Sequence, residues 1–158
     1  MNLKRNISVI FRNYQKKLDL KTIINFKKLC KKKGLKLYLA NNIKLALQAN
    51  LNGVYIPSFN KSLNLNNFRN YRKNFKILGS AHNVVELKFK EKQGVDIIFL
   101  SPLFLTKNYQ HSLGIIKFNL ISKETKKPII ALGGIRKDNL NKIKLINAIG
   151  LSGITLFN

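Results

Sequence analysis

The chain has 158 residues, 45% of them hydrophobic, and a formal net charge of +24. This length predicts a single domain with one sizeable core. Because Cys30 is the single cysteine, an intramolecular disulfide is excluded. The sequence has neither an apolar run of roughly 18 residues for a membrane span nor a signal peptide at Met1–Ile10. We therefore expect a cytoplasmic protein with no membrane partner.

The positive charge comes mostly from lysine, which is scattered along the chain with Lys31, Lys32 and Lys33 as its longest run. Asparagine and isoleucine are similarly abundant, the mixture that AT-rich codons encode, so codon bias explains much of the charge. No interleaving of arginine with aromatic residues marks a base-reading surface. We therefore predict no specific nucleic-acid partner, although the charge attracts phosphorylated small molecules.

Short apolar runs alternate with longer amphipathic segments, which is the pattern of βα units around a parallel sheet. Seven runs are predicted strands: Ser8–Phe11, Lys36–Ala40, Gly53–Ile56, Phe75–Leu78, Asp96–Leu100, Pro128–Leu132 and Gly153–Phe157. Seven units predict either an eight-stranded TIM-type (β/α)8 barrel without its first strand or an open doubly wound sheet.

The segments between the strands predict helices. Asp19 is a candidate N-cap and Gly34 a candidate stop for the first helix, and the second is expected from Asn42 to Ala49. Other helices are expected at Gly114–Lys123 and Lys137–Asn147, with a short one within Asn60–Asn74.

The segment after His82 has two interpretations. Its apolar residues alternate from Val85 to Phe89 as in a strand, whereas Asn83 and Glu86 have the spacing of a capping box. We predict a helix.

In a parallel α/β fold, reactive groups belong at the carboxyl ends of strands. The residues that follow the predicted strands are Arg12, Asn41, Asn42, Ser80, His82, the stretch Ser101–Lys107, Gly133, Gly134 and Thr155. The set is rich in groups that bind phosphate, and an arginine such as Arg12 can pair with an anion through two hydrogen bonds.

The segment PIIALGGI places Gly133 and Gly134 directly after a buried strand. Bare backbone N–H groups at such a turn can approach a phosphate. A tight turn that needs a positive φ is the alternative explanation. Phosphate binding is favoured because Gly153 and Thr155 are expected on the neighbouring strand, where barrels commonly build this site.

His82 follows a strand end at which an imidazole can act as a general acid or base near neutral pH. A histidine that only caps or hydrogen-bonds is the alternative. The aspartates are placed in a cap, a strand start and a helix start, so the sequence predicts neither a carboxylate pair nor a metal cluster.

Six segments carry these strand-end residues in order: IFRN, LYLANN, GVYIPSFN, ILGSAHN with Glu86 after it, GVDIIFLSPLFLTK, and PIIALGGI followed by GLSGITLF. Together they resemble the thiamine-phosphate synthase and TenI (thiazole tautomerase) family. The resemblance implies a (β/α)8 barrel in which this chain begins just before the usual second strand. An incomplete barrel has two exposed strand edges, and pairing with another chain, as in a homo-oligomer, is one way to cover them.

In the synthases of this family, a pyrimidine methyl diphosphate loses pyrophosphate with the help of Mg²⁺, and thiazole phosphate captures the carbocation. The resemblance implies pyrophosphate contacts from Arg12 and Asn41 and a pyrimidine contact from Ser80. The implied phosphate-binding residues are Thr106, Lys107, Gly133 and Gly134, with the backbone around Ile154 and Thr155.

The chain departs from the family pattern at its metal site. Asn42 and Asn60 stand where the family has aspartates, and neutral amides are weaker Mg²⁺ ligands than carboxylates. Tyr55 and Ser58 replace a histidine and a glutamine, and the basic residue expected near Tyr109 is out of register unless Lys107 takes its role.

Three hypotheses therefore stand. The first is a thiamine-phosphate synthase, a transferase that couples the two phosphorylated substrates, with Mg²⁺ as its expected cofactor. The second is a thiazole tautomerase that needs no metal and relies on His82, which has the family's Ser-x-His placement. The third is a barrel that binds a phosphorylated ligand without turnover.

Overall fold

A computed structural model describes residues 7–14, 18–65, 68, 74–106 and 111–153. Its elements in chain order are β1 (Ser8–Phe11), α1 (Leu20–Lys32), β2 (Lys36–Ala40), α2 (Ile43–Gln48), β3 (Gly53–Ile56), β4 (Lys76–Ala81), α3 (Val84–Lys92), β5 (Ile97–Leu100), α4 (Gly114–Lys123), β6 (Ile129–Leu132), a 3-10 helix (Lys137–Leu145) and β7 (Gly150–Ser152).

The seven strands form one sheet in which each strand pairs in parallel with the next one along the chain. A doubly wound sheet would require the strand order to reverse at one point, and this order runs from β1 to β7 without a reversal. The fold is therefore the α/β, TIM-type arrangement with seven strands among the described residues. β1 and β7 are the two edges of the described sheet, and a homo-oligomer that covers them stays a prediction.

The sheet is apolar on both faces, as expected for parallel strands. The larger cluster lies between the sheet and the helices and includes Leu39, Ile56, Ile98, Leu87 and Phe118. The buried residues of the second cluster are Tyr38, Ala40, Tyr55, Leu78 and Phe99, all from strands, so this cluster fills the face that turns away from the helices.

Two strands, β4 and β7, differ from the sequence predictions by more than their first residue, whereas β5 and β6 only start one residue later than predicted. β4 continues past Leu78 to Ala81, so Ser80 lies in the strand and not after it. β7 begins three residues before the predicted Gly153, because Ile149 N donates to Ile129 O and Gly150 then pairs with Ile130. The remainder of the predicted last strand, residues 154–157, lies outside the described residues.

The first two helix starts are confirmed. Asp19 Oδ1 accepts a hydrogen bond of 2.7 Å from Thr22 N, and Asn42 Oδ1 accepts one of 3.0 Å from Leu45 N. Gly34 follows α1 with a φ of +67°, the left-handed conformation expected of a helix stop.

Two other helix predictions need correction in part. The segment after His82 is helical as predicted, but only half of its capping box forms: Asn83 Oδ1 accepts from Glu86 N, while the Glu86 carboxylate turns to His82. The segment predicted from Lys137 is a 3-10 helix that ends at Leu145. Within the described residues, no helix combines the length and apolar character needed to cross a membrane.

Candidate functional site

The carboxyl ends of the parallel strands meet at one edge of the sheet, and most of the predicted site residues lie there. The register aligns Ile56 with Gly79 and Ala81 with Leu100, so the loops after β3, β4 and β5 are neighbours. Ser80 is two residues from Leu78 and so shares the face of the second cluster, where it is only 4% exposed.

His82 forms a pair with Glu86 just beyond β4. Glu86 Oε2 accepts hydrogen bonds of 2.8 Å from both His82 N and His82 Nδ1. Burial alone would raise the pKa of Glu86, but the hydrogen bonds from His82 and the charges of His82 and Lys61 keep it below its ordinary value. An ionised carboxylate only accepts, so Nδ1 carries the proton and Nε2 is the basic nitrogen of the neutral ring.

Asn41 and Asn60 bring the ends of β2 and β3 together. Asn41 has a φ of +58°, and its backbone N donates to Tyr55 O over 2.7 Å. Asn60 Nδ2 donates to Asn41 Oδ1 over 2.6 Å, while Asn60 Oδ1 accepts from Ser62 N over 2.9 Å. Because a backbone N–H can only donate, Ser62 fixes which end of the Asn60 amide faces Asn41.

The three asparagines do not fit a Mg²⁺ site. Each amide oxygen already accepts a hydrogen bond: Asn42 from Leu45 N, Asn41 from Asn60, and Asn60 from Ser62 N. No carboxylate accompanies them, and no group of three or more acidic, histidine or cysteine side chains suited to a metal occurs in the described part of the chain. Mg²⁺ is usually bound through at least one carboxylate, so these amides alone do not suit it.

Arg12 lies exposed at the end of β1, with its guanidinium 5.3 Å from the centre of the Tyr14 ring. Tyr14 in turn packs edge-on against Phe59, with ring centroids 5.6 Å apart. The aromatic pair connects the end of β1, where Arg12 lies, to the loop after β3, which carries Asn60.

Gly133 and Gly134 have φ values of +93° and +69°. A Cβ on Gly133 would lie 2.8 Å from Pro102 Cβ, and one on Gly134 would lie 2.5 Å from Phe104 O. Leu103 N and Phe104 N donate to the carbonyls of Leu132 and Gly133, so the loops after β5 and β6 are joined through their backbones. The glycines are required by conformation and by close packing, whereas their binding of phosphate stays a prediction.

Thr106 follows this joined segment. Its Oγ1 is buried and has no hydrogen-bond partner among the residues that the structure describes. Buried hydroxyls without partners are rare in native proteins, so a ligand oxygen is a physical explanation for this one. Lys107, Ile154 and Thr155, the other residues expected to bind phosphate, lie outside the described residues.

Two polar residues that pack beneath the site were not predicted from the sequence: Lys90 of α3 and Gln93, the C-cap residue directly after this helix, both fully buried. Burial, and then the nearby charge of Lys61, lower the pKa of Lys90 to about 8, although Glu86 opposes the shift. Lys90 is three residues after the buried Leu87, a spacing that places both on one face of the helix and could have indicated that this lysine is buried.

Comparisons with known proteins identify the family of the chain. The sequence profile of the family described as thiamine monophosphate synthase matches residues 5–157. A thiamine-phosphate synthase of Prochlorococcus marinus is 30% identical over 162 residues, covering 99% of this chain and 45% of the relative. The thiamine-phosphate synthase of Pelagibacter ubique is 31% identical over 160 residues, covering 94% of this chain and 75% of the relative.

A solved structure shows the same fold. The thiamine phosphate pyrophosphorylase from Pyrococcus furiosus has a TM-score of 0.72 at 19% identity, covering 94% of this chain and 71% of that one. The chain spans 45% and 38% of the lengths of two Prochlorococcus marinus synthases that it matches. With the family profile matched over nearly its whole length, the chain belongs to the thiamine-phosphate synthase and TenI family.

Proposed function

We propose that the protein is a thiamine-phosphate synthase that couples hydroxymethylpyrimidine diphosphate with thiazole phosphate. The observation that carries the proposal is the convergence of hydrogen-bond donors for anions at one sheet edge of a chain from this family. Arg12 and Asn41 lie on one side of that edge, and Thr106 lies on the other, near Gly133 and Gly134. The reaction needs two anionic groups bound close together, which this arrangement supports.

The diphosphate of the pyrimidine substrate is assigned to Arg12 and Asn41. The Asn41 amide nitrogen has no partner among the described residues, because Asn60 occupies only its oxygen. In the reaction, the carbon–oxygen bond to the diphosphate breaks with its electron pair leaving on pyrophosphate. Arg12 and the Asn41 N–H group stabilise this developing charge, and the thiazole nitrogen then donates its electron pair to the carbon.

The phosphate of the thiazole substrate is assigned to Thr106 and the Gly133–Gly134 turn. The Thr106 hydroxyl, which has no partner within the described residues, supports this assignment, since a phosphate oxygen would accept its proton. Lys107 and the backbone of Ile154 and Thr155 complete the proposed set by family resemblance. Ser80 and His82 then lie between the two anions, where we assign them to the substrate rings.

A thiazole tautomerase is the second candidate, and the His82–Glu86 pair favours it. Glu86 fixes the Nδ1 proton, so Nε2 is the nitrogen of the His82 ring that would act as the base. The asparagines support the same candidate, because a proton transfer requires no bound metal.

The test is an assay of purified protein with both synthase substrates, and in parallel with thiazole carboxylate phosphate alone. The protein from the longest in-frame reading frame is assayed alongside, so that an incomplete barrel is recognised. We expect thiamine phosphate and pyrophosphate in equal amounts. Isomerised thiazole without thiamine phosphate would replace the synthase by the tautomerase, and binding of thiazole phosphate with neither product would show a barrel without turnover.

A further inference from the structure

The segment after β3, residues 57–62, is tied to α3 by a buried ammonium group. Lys90 Nζ donates to Pro57 O over 2.9 Å, to Asn60 O over 3.0 Å and to Gln93 Oε1 over 2.6 Å. A protonated lysine has three N–H donors, and all three are used here. The pKa of Lys90 is about 8, so its ammonium is mainly protonated at neutral pH and all three donors are present there.

Gln93 adds a second set of contacts to the same segment. Its Nε2 donates to Asn60 O over 3.0 Å and to Ser62 O over 2.7 Å. Lys61 lies 5.2 Å from the centre of the Phe89 ring on the same helix. Four hydrogen bonds therefore reach backbone carbonyls of the segment, and a fifth joins Lys90 to Gln93 beneath it. The cation–π contact of Lys61 adds to them.

The fold makes room for the lysine stem at β4. A Cβ on Gly79 would lie 3.0 Å from Lys90 Cδ and 2.8 Å from Val95 Cγ1. Gly79 lies within β4 and does not have a positive φ, so space and not backbone conformation requires this glycine. The side chain of Lys90 thus crosses the outer face of β4 to reach the segment.

We infer that Lys90 and Gln93 are positioning residues that fix residues 57–62, and with them the Asn60 amide against Asn41, at the end of the site assigned to the diphosphate. The contact passes from Lys90 to the Asn60 backbone, then through the Asn60 side chain to Asn41 Oδ1. Asn41 is thereby held with its amide nitrogen available for a diphosphate oxygen.

The contacts of Lys90 and Gln93 with residues 57–62 are called the clamp below. Hydrogen exchange tests the clamp without reference to any reaction. Asn60 N and Ser62 N are both hydrogen-bonded inside the segment, so their protection reports its closure. In Lys90→Met, which keeps an unbranched stem but removes the donors, we expect these two amides to lose protection about tenfold at pH 7, with the strands unchanged. Lys123→Met, at an exposed position in α4, is the control and should match the parent.

A second variant covers the case in which Lys90→Met does not fold. Gln93→Ala keeps the ammonium but removes two donors and one acceptor, and we expect about a threefold loss at the same amides. Unchanged protection of Asn60 and Ser62 in every variant that folds would overturn the clamp.

The positioning role rests on the proposed function and has its own readout. Inorganic pyrophosphate and thiazole phosphate are titrated separately into parent, Lys90→Met and Gln93→Ala proteins. We expect the pyrophosphate Kd to rise about tenfold in Lys90→Met while the thiazole phosphate Kd is unchanged. An unchanged pyrophosphate Kd in a variant with a loosened segment would overturn the positioning role, and no pyrophosphate binding by the parent would count against the proposed function alone.

Discussion

The carboxyl edge of the sheet has two halves that are built in different ways. The amide half, after β1–β3, consists of Arg12, Asn41 and Asn60 and is arranged by side-chain contacts: a hydrogen bond from Asn60 to Asn41 and a cation–π contact of Arg12 with Tyr14. The glycine half, after β5 and β6, consists of Thr106, Gly133 and Gly134 and is arranged by backbone hydrogen bonds and close packing.

This difference shows where the site can change without disturbing the fold. Asn42 and Asn60, which depart from the family's aspartates, both belong to the side of the edge where asparagine side chains make contacts, Asn42 with Leu45 N and Asn60 with Asn41 and Ser62 N. A carboxylate at position 60 would face Asn41 Oδ1 in place of a donor, so the substitution alters local charge and pairing. In the glycine half any side chain on Gly133 or Gly134 would meet neighbouring atoms, so the sequence there is constrained by space.

The largest expected effect is in the glycine half, from Gly134→Ala. The new Cβ would combine a φ of +69° with a contact of 2.5 Å to Phe104 O. We expect the free energy of unfolding to fall by about 3 kcal/mol, measured by urea denaturation. Gly34→Ala is the matched control, because it has a φ of +67° with no atom within 4 Å, and we expect it to lose only about 1 kcal/mol. Equal losses in the two variants would contradict close packing as the cause.

The next effect concerns Lys90, beneath the amide half, and its pH dependence. Its folded pKa of about 8 is below the ordinary value of about 10.4, so the unfolded chain binds more protons between these values. Stability due to this residue therefore rises as the pH increases from 8 to 10. The charges that act on it are those of Lys61, which lowers its pKa, and Glu86, which raises it.

The measurement is the free energy of unfolding of the parent minus that of Lys90→Met, from urea denaturation at pH 7, 8, 9 and 10. The subtraction removes the effect of the many exposed lysines, which titrate in both proteins. We expect the difference to rise by on the order of 2 kcal/mol in favour of the parent. A flat difference would show that Lys90 titrates in the folded protein as it does in water.

His82→Ala tests the residue that lies between the halves. The synthase reaction breaks a carbon–oxygen bond and moves no proton, so His82 is expected only to hydrogen-bond a substrate ring. We therefore expect kcat/KM for thiamine phosphate formation to fall about tenfold. A loss above 100-fold would contradict this limited role and would indicate that His82 takes part in the rate-limiting step of the synthase reaction.

Much of the fold follows from the sequence because parallel strands buried on both faces are continuous apolar runs. The bounds of β2 and β3 were predicted correctly for this reason. β7 was misplaced because a three-residue strand, Gly-Leu-Ser, has no apolar run of its own. The distinction between an α-helix and a 3-10 helix at Lys137–Leu145 is also absent from the apolar pattern.

The site could be predicted only as a set of strand-end residues. Their contacts depend on side-chain geometry that cannot be derived from sequence spacing. Glu86, for example, binds His82 instead of completing the capping box. Lys90 and Gln93 were missed because polar residues in a lysine-rich helix are expected to face water.

The smallest expected effect is from Thr106→Val. Removal of a buried hydroxyl without a partner should leave stability unchanged or raise it by up to about 1 kcal/mol, while thiazole phosphate binding weakens about tenfold. Thr125→Val is the control: its hydroxyl bonds Glu91 and accepts from Lys127 N, so it should lose stability and keep the binding. If Thr106→Val lowered both the free energy of unfolding and the affinity for thiazole phosphate, the hydroxyl would have a partner within the protein, which would contradict its proposed role in ligand binding.

The most direct test of a synthase with a metal-free amide half is thiamine phosphate formation by the parent and by an Asn42→Asp/Asn60→Asp variant, each measured with Mg²⁺ and with EDTA. We expect the parent to form product at a rate that EDTA changes less than about threefold, and the variant to respond more strongly to Mg²⁺. If EDTA abolished product formation by the parent, the amide half would have to hold a metal, which would contradict this expectation. If no product formed under any condition, the synthase proposal would be wrong.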